Sequence, residues 1–310
     1  MKFYDLHQDL MTHIRFKDRL GQTEQTSWQV LEASELDLLI ATAFPFPESD
    51  DQTDPIVNEL ITEELQMYRD YMTQSETWQL IESARDLENE KKKLILHIEG
   101  LNTFDGTRQS WQHLEEWIGL GVRSIGTHWN IENKLGGGTL QPDNPLTTLG
   151  HEVIEYIEAN SIVLDLAHMS RAGFADVARF SKRPLYVSHG NADAVCQNVR
   201  NYTDEQLFQI AESDGVIGMF FAGTFVAGKD RASTINDVVA HIDYIKNLIG
   251  TRHIAIGGDW GGIVSGGVKG LESVADAPTL FDALTTAGYS AEEQEQIAWQ
   301  NADRVLRAHL

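Results

Sequence analysis

Eight short apolar segments, separated by stretches with helical spacing, constrain the fold of this chain more than any other feature. They are Phe3 to Leu6, Leu36 to Ala43, Leu94 to Ile98, Gly121 to Gly126, Ile162 to Ala167, Leu185 to Val187, Val216 to Phe220 and His253 to Ile256. Segments of this length read as strands, and many of the intervals are long enough for the crossover helix that parallel pairing requires. Trp111, Leu114, Trp117 and Ile118 share one helical face, as do Val238, Ile242, Ile245 and Ile249. Val153, Ile154 and Ile157 alternate with Glu152, Glu155 and Glu158 in the same manner. Thr203 with Gln206, and Ser290 with Glu293, have the spacing of a helix-opening capping box. Eight strands with helices between them favour the α/β class and a single (β/α)8 TIM-like barrel over residues 1–310, rather than an open doubly wound sheet.

Helical insertions interrupt the alternation. Pro45, Pro47 and the polar run to Asp54 read as a loop, and residues 57–89 read as mostly helical. Gly136-Gly137-Gly138 lies in a second long loop, from Trp129 to Leu146. Loops over a barrel face form pocket walls, and solvent-facing connection is the competing role for most of their residues.

The charge balance limits the partners. With 24 basic against 47 acidic residues, the formal charge of -23 repels nucleic-acid backbones and anionic membranes. The one compact basic run, Lys91 to Lys93, reads as a solvated strand entrance. Cys196 is the single cysteine, so no intrachain disulfide forms, and core packing or a neutral polar contact is its expected role. No apolar run resembles a signal peptide or a membrane span, which makes the cytoplasm the expected compartment.

Polar residues recur where the strands end. In Asp5-Leu6-His7-Gln8-Asp9 an extended backbone projects His7 and Asp9 to one side. Glu99 follows Leu94 to Ile98, and His168 and His189 lie just beyond two further apolar segments. A single histidine there is readily a structural hydrogen-bonding group. Five imidazoles and carboxylates at corresponding strand ends point instead to a two-metal hydrolytic centre, with Glu99 bridging, His7 and Asp9 on one side, and His168 and His189 on the other. Asp259, in Gly257-Gly258-Asp259-Trp260-Gly261-Gly262, is a proton shuttle, a further metal contact or a loop cap. His128 is a donor to a developing oxyanion or a structural hydrogen-bonding residue. Arg200 binds a substrate carboxylate or pairs with Asp204 at the surface. Asp5, His97, Asp165 and Ser188 are expected to orient the metal-bound imidazoles.

In their order along nearly the whole chain, these residues resemble the membrane dipeptidase (renal dipeptidase-like) metallopeptidase family. The resemblance rests on Asp5 to Asp9, His97-Ile98-Glu99-Gly100, Gly121-Val122-Arg123 with Thr127-His128, and Leu164 to Ser170. It continues through Ser188 to Ala192, Arg200-Asn201, His241-Ile242-Asp243 and Gly257-Gly258-Asp259. It implies two zinc ions, one held by His7 and Asp9, the other by His168 and His189, with Glu99 between them. It further implies that Asp259 handles protons, His128 supports the oxyanion and Arg200 receives the terminal carboxylate of a dipeptide, including dipeptides with a C-terminal D-residue. A homodimer is the expected assembly. The family's last-strand pattern, Gly-Asp-Phe-Asp-Gly, is altered here: Trp260 replaces the aromatic and Gly261 the second acid. The competing functions are a metal amidohydrolase acting on N-acyl amino acids or cyclic amides, and a noncatalytic ligand-binding barrel.

Overall fold

The computed structural model describes residues 1–20, 24–44, 56–264 and 266–310. The expected loop from Pro45 to Asp54 lies outside them. The strands are β1 (Phe3–Gln8), β2 (Leu36–Ala43), β3 (Trp78–Leu80), β4 (Lys92–Glu99), β5 (Val122–Gly126), β6 (Val163–Asp165), β7 (Tyr186–Gly190), β8 (Val216–Met219) and β9 (Ile254–Ile256). Every pairing is parallel, in the order β1-β2-β4-β5-β6-β7-β8-β9, with β3 attached to β4. A parallel bridge from Gln8 to Trp260 joins the two ends of this path, where Asp9 N donates to Trp260 O at 3.1 Å and Asp259 N to His7 O at 3.0 Å. The result is the expected TIM-like barrel, and all eight apolar segments contribute a strand.

Packing follows the period-two alternation of the strands. Tyr4, Leu6, Leu38, Ile40, Ile95, Val163, Tyr186, Val216 and Ala255 form one buried cluster, the inside of the barrel. Phe3, Leu39, Ala41, Leu94, Leu96, Val187 and Ile217 join the larger cluster beneath the helices. The helices start where the sequence supplies a cap: Thr107, Thr147 and Ser170 each accept a backbone N–H from the first turn, and Thr203 and Ser290 form the expected capping boxes. The last helix (Asn301–His309) packs Ala302, Val305 and Leu306 onto the inner cluster. Asn301 there donates to Ile254 O at 2.8 Å, which ties the helix to the start of β9.

One expectation is met with an addition and another needs correction. Residues 57–89 are mostly helical, as expected, through a helix over Ile56–Gln74 and a short 3-10 turn over Ala84–Glu88, but β3 lies between the two. Trp78 is buried and the stretch completes the sheet beside Lys92 to Leu94, so burial overrides its local appearance. Lys91 to Lys93, by contrast, are not uniformly solvated. Lys92 Nζ donates to Leu31 O and Ser34 O at 2.8 and 2.7 Å, and buried Lys93 pairs with Asp37 at 3.2 Å.

Candidate metal centre

At the C-terminal ends of the strands the barrel gathers His7, Asp9, Glu99, His168, His189 and Asp259, all buried. Irregular backbone brings several of them there. The β1–β2 register slips between Asp5 and Gln8, around His7, and the β7–β8 register slips between Val187 and Gly190, around His189. Such slips re-aim side chains: the His7 ring lies 4.2 Å from that of His189 and 5.4 Å from that of His97, inside the barrel. His168 and Asp259 have φ of +63° and +59°, left-handed values that cost a non-glycine residue energy and are sustained by surrounding contacts.

Glu99 Oε1 is the shared point of the cluster. It lies 3.0 Å from His168 Nε2, 3.5 Å from His7 Nε2 and 3.9 Å from His189 Nε2. On the other side His7 Nε2 is 3.7 Å from both Asp9 Oδ2 and Asp259 Oδ1. Two groups, His7 with Glu99 and His189, and His7 with Asp9 and Asp259, each offer ligand atoms within 4.8 Å of one another. A third joins His7 to His97 and Asp165. Atoms bound at about 2.0–2.2 Å to one tetrahedral zinc are themselves spaced by about 3.4 Å, so this crowding is what a cation would impose.

Three further observations fit the cluster to metal ions. Asp9 Oδ1 is buried without a hydrogen-bond partner. His168 and His189 bring their Nε2 atoms within 3.1 Å, an arrangement that two protonated nitrogens cannot share. A Cβ on Gly262 would lie 2.6 Å from Asp259 Oδ1 and closer still to Asp9 Oδ2, so only glycine leaves the carboxylates their space.

Electrostatics follow from burial and crowding. Burial, reinforced by Arg200, lowers His168 to about 4, and burial with His7 lowers His189 well below its ordinary range, so both rings stay neutral and free to coordinate. Burial alone would raise Glu99, but His168 and His7 outweigh it and hold the carboxyl at about 2. Burial would lower His7, but Glu99, Asp9 and Asp259 raise it to about 10. Asp259 is pushed well up by burial and by the Asp9 carboxylate, and burial raises Asp9. Protons thus offset the surplus negative charge, the place that dications would take.

The supporting contacts differ in part from those expected. Ser188 Oγ lies 2.7 Å from His189 Nδ1, as anticipated. Asp5 and Asp165 hold neighbouring chain instead: Asp5 accepts from Gln8 Nε2 at 2.6 Å and Gly258 N at 2.8 Å, and Asp165 from Ser188 N at 2.9 Å and Ala167 N at 3.0 Å. His97 Nδ1 contacts Ser124 Oγ at 2.9 Å, and its Nε2 has no hydrogen-bond partner. The partner of His168 is one that sequence reasoning missed: Asn130 Oδ1 sits 2.8 Å from His168 Nδ1. Its signal was its place two residues after His128 in the long loop. Thr42 Oγ1, 3.4–3.5 Å from the His7 nitrogens, was missed as well.

A cavity of about 280 Å³ opens above the cluster. Its wall includes Asp9, Glu99, His168, His189 and Asp259, together with Arg200, Phe44, Trp129, Phe220 and Phe225. Arg200 is buried, its Nη2 donates to His189 O at 3.2 Å, and its Nε has no partner. Asp204 accepts from Tyr244 at 2.8 Å and makes no ion pair with Arg200 among the described residues, so the surface-pair alternative fails. His128 is fully buried and is not in the cavity wall. Its Nδ1 contacts Thr127 Oγ1 at 2.8 Å, its Nε2 lacks a hydrogen bond, and burial lowers it to about 4. Trp260 turns away from the cavity, donating to Leu271 O at 2.9 Å with its ring against Phe221. Gly261, at φ +97°, has Asp9 O 2.6 Å from where its Cβ would lie, so this backbone excludes a second acid.

Fold and site together define a metal-dependent hydrolase barrel with a binuclear centre. The chain matches the model of the membrane dipeptidase family, peptidase family M19, over residues 1–309, and it belongs to that family as a metal-dependent dipeptidase with a two-zinc site. A protein of Klebsiella pneumoniae described only as uncharacterized, in the pqqA 5' region, is 36% identical over 239 residues, 73% of this chain and 86% of that protein. Dipeptidase aclJ of Aspergillus oryzae is 31% identical over 217 residues, 68% of this chain but only 50% of its own length. The solved structure of a metallo peptidase from Rhodobacter sphaeroides, liganded with a phosphinate mimic of L-Ala-D-Ala, superimposes with a TM-score of 0.87 at 23% identity, covering 100% of this chain and 99% of that one.

Proposed function

We propose that this chain hydrolyses dipeptides with a free C-terminal carboxylate, using His7, Asp9, Glu99, His168 and His189 as ligands of two zinc ions. The observation that carries the reading is Glu99 Oε1, one carboxylate oxygen within 3.9 Å of three imidazoles, beside a buried Arg200 whose Nε is unpaired. Held by these residues, zinc would acidify water and polarise the scissile carbonyl. The chain's own groups do the rest. Asp259, made a better proton acceptor by burial and Asp9, removes the proton from the attacking water and delivers it to the departing amine. Arg200 holds the substrate carboxylate by charge-assisted hydrogen bonds and sets the length accepted. His128, neutral but fully buried and outside the cavity wall, is placed for the structural alternative rather than for donation to the oxygen that gains charge.

The fungal relative named a dipeptidase supports the reaction class, and the phosphinate complex supports a C-terminal D-residue as one acceptable substrate. Among the described residues no helix is long and apolar enough to cross a membrane. A homodimer acting in the cytoplasm, each chain serving as one catalytic domain, completes the proposal. The test is incubation of the purified, zinc-loaded protein with a library of L and D dipeptides, with released amino acids read by mass spectrometry. Metal-dependent release is expected, abolished by Asp259→Asn; no release from a folded, metal-loaded sample refutes the dipeptidase reading.

A further inference from the structure

The cavity is chemically uneven. Its charged side chains are Arg200 and the members of the metal cluster, among the described residues. The surface next to Arg200 is aromatic. The guanidinium carbon lies 5.5 Å from the centre of the Phe220 ring, and Phe225 stacks on Phe220 at 5.1 Å with 19° between the planes. The other side of this wall meets the metal cluster, since the His189 ring stands edge-on to Phe220 at 5.0 Å. Phe220 therefore touches both the carboxylate anchor and the metal cluster, and Phe225, half-buried, extends the same aromatic surface. Val199 and Val264, also in the cavity wall, remain 39% and 51% exposed.

This wall is held rigidly. Asn191 accepts from Phe220 N at 3.4 Å and donates to Phe220 O at 3.0 Å. Asn201 Nδ2 donates to Phe225 O at 2.8 Å and to Cys196 O at 2.7 Å. His241, deep in the helix over Ile235–Ile249, accepts from Ala192 N at 3.1 Å and pairs through Nε2 with Val226 O at 3.0 Å. Asn201 and His241 thus fix the backbone on which Phe225 stands. A preformed apolar wall costs little ordering when a substrate side chain covers it.

Resting on the dipeptidase reading above, we infer that Phe220 and Phe225 select dipeptides whose C-terminal residue has an apolar side chain, an aromatic one best of all. The carboxylate carbon and Cβ are bonded to the same Cα, so a carboxylate on Arg200 places the start of its side chain within about 2.5 Å of the carboxylate carbon. That side chain starts beside Phe220, which packs on the Arg200 guanidinium, and Phe225, which stacks on Phe220. A charged side chain there loses water and meets no opposite charge outside the anchor and the metal cluster. An apolar one covers Phe225 and the exposed valines.

The experiment measures kcat/KM of the zinc-loaded protein for Ala-Gly, Ala-Leu, Ala-Phe, Ala-Asp and Ala-Lys, each chiral member in both C-terminal configurations. In the accepted configuration, Ala-Phe and Ala-Leu are expected to exceed Ala-Gly by about tenfold or more, the range a hydrophobic pocket supplies, with Ala-Asp and Ala-Lys below Ala-Gly. Phe225→Ala is expected to reduce the Ala-Phe to Ala-Gly ratio to about threefold or less, and Phe225→Leu to retain most of it. A flat series, a preference for Ala-Asp or Ala-Lys, or an unchanged ratio in Phe225→Ala overturns this inference while leaving peptide hydrolysis standing. Failure to cleave any member, with zinc bound, overturns the dipeptidase reading itself.

Discussion

Gly262→Ala isolates the space reserved for the cations. The glycine has no positive φ, so alanine introduces no backbone strain there; the only change is a methyl group aimed at the two carboxylates. With 3.0 Å as the closest approach that real Cβ atoms make, Asp259 Oδ1 at 2.6 Å must retreat by about 0.4 Å, and the nearer Asp9 Oδ2 by more. In the metal-free protein these short side chains can rotate away, so the melting temperature should fall by only a few degrees, within the cost of ordinary overpacking of about 1–3 kcal/mol. In the zinc-loaded protein Asp9 must hold its position. A misplacement approaching 1 Å near the chemistry costs about 10²-fold, and we expect zinc affinity at the Asp9 site and kcat/KM each to drop by that order. Competition with a chromophoric chelator reads the affinity, elemental analysis the stoichiometry, and a dipeptide assay the rate. A Gly262→Ala protein that binds two zinc ions with native affinity and turns over normally would refute the argument that this glycine exists to make room for the ligands.

Other perturbations separate the remaining parts. Ser188→Ala removes the 2.7 Å contact to His189 Nδ1 and should weaken zinc binding by about 10–100-fold, measured by the same competition; native affinity would show that the hydroxyl does not orient the ring. Arg200→Ala should lower kcat/KM for a dipeptide by about 10–100-fold through KM, and leave the corresponding dipeptide amide nearly unaffected; equal losses for both substrates would remove the carboxylate anchor. His309, whose Nε2 donates to Pro184 O at 2.8 Å, is lowered by burial to about 4. The unfolded chain therefore binds a proton below about pH 6.5 that the fold refuses until about pH 4, and this residue's contribution is present above that window and lost on acidification through it. Urea unfolding should show stability falling by about 2 kcal/mol more between pH 7 and pH 5 in the native protein than in His309→Gln, and parallel slopes would contradict this.

Much of this was legible in the sequence because strand and barrel follow from the spacing of apolar residues. Leu36 to Ala43 and Leu94 to Ile98 needed only their composition to be placed in the sheet. The candidate ligands were legible because acids and imidazoles immediately after apolar runs have few structural reasons to recur. What sequence did not reveal is mostly backbone geometry. The register slips that turn His7 and His189 inward, and the left-handed conformations of His168 and Asp259, depend on neighbouring strands. Trp78 sits in β3 because Lys92 to Leu94 offer it a free edge, a tertiary fact. Asn130 serves His168 from a loop with no periodicity to mark it. The change at Gly261 looked like the loss of a functional acid, yet in this backbone the position admits no side chain without strain.

In the proposed centre one carboxylate, Glu99, is shared by two zinc ions, with His7 and Asp9 on one and His168 and His189 on the other. Crystals of the zinc-loaded protein measured on both sides of the zinc absorption edge test it directly. Two anomalous peaks of similar height are expected to flank the Glu99 carboxylate, both reduced in Glu99→Gln. A single peak, or two peaks neither of which lies within bonding distance of Glu99, would contradict it.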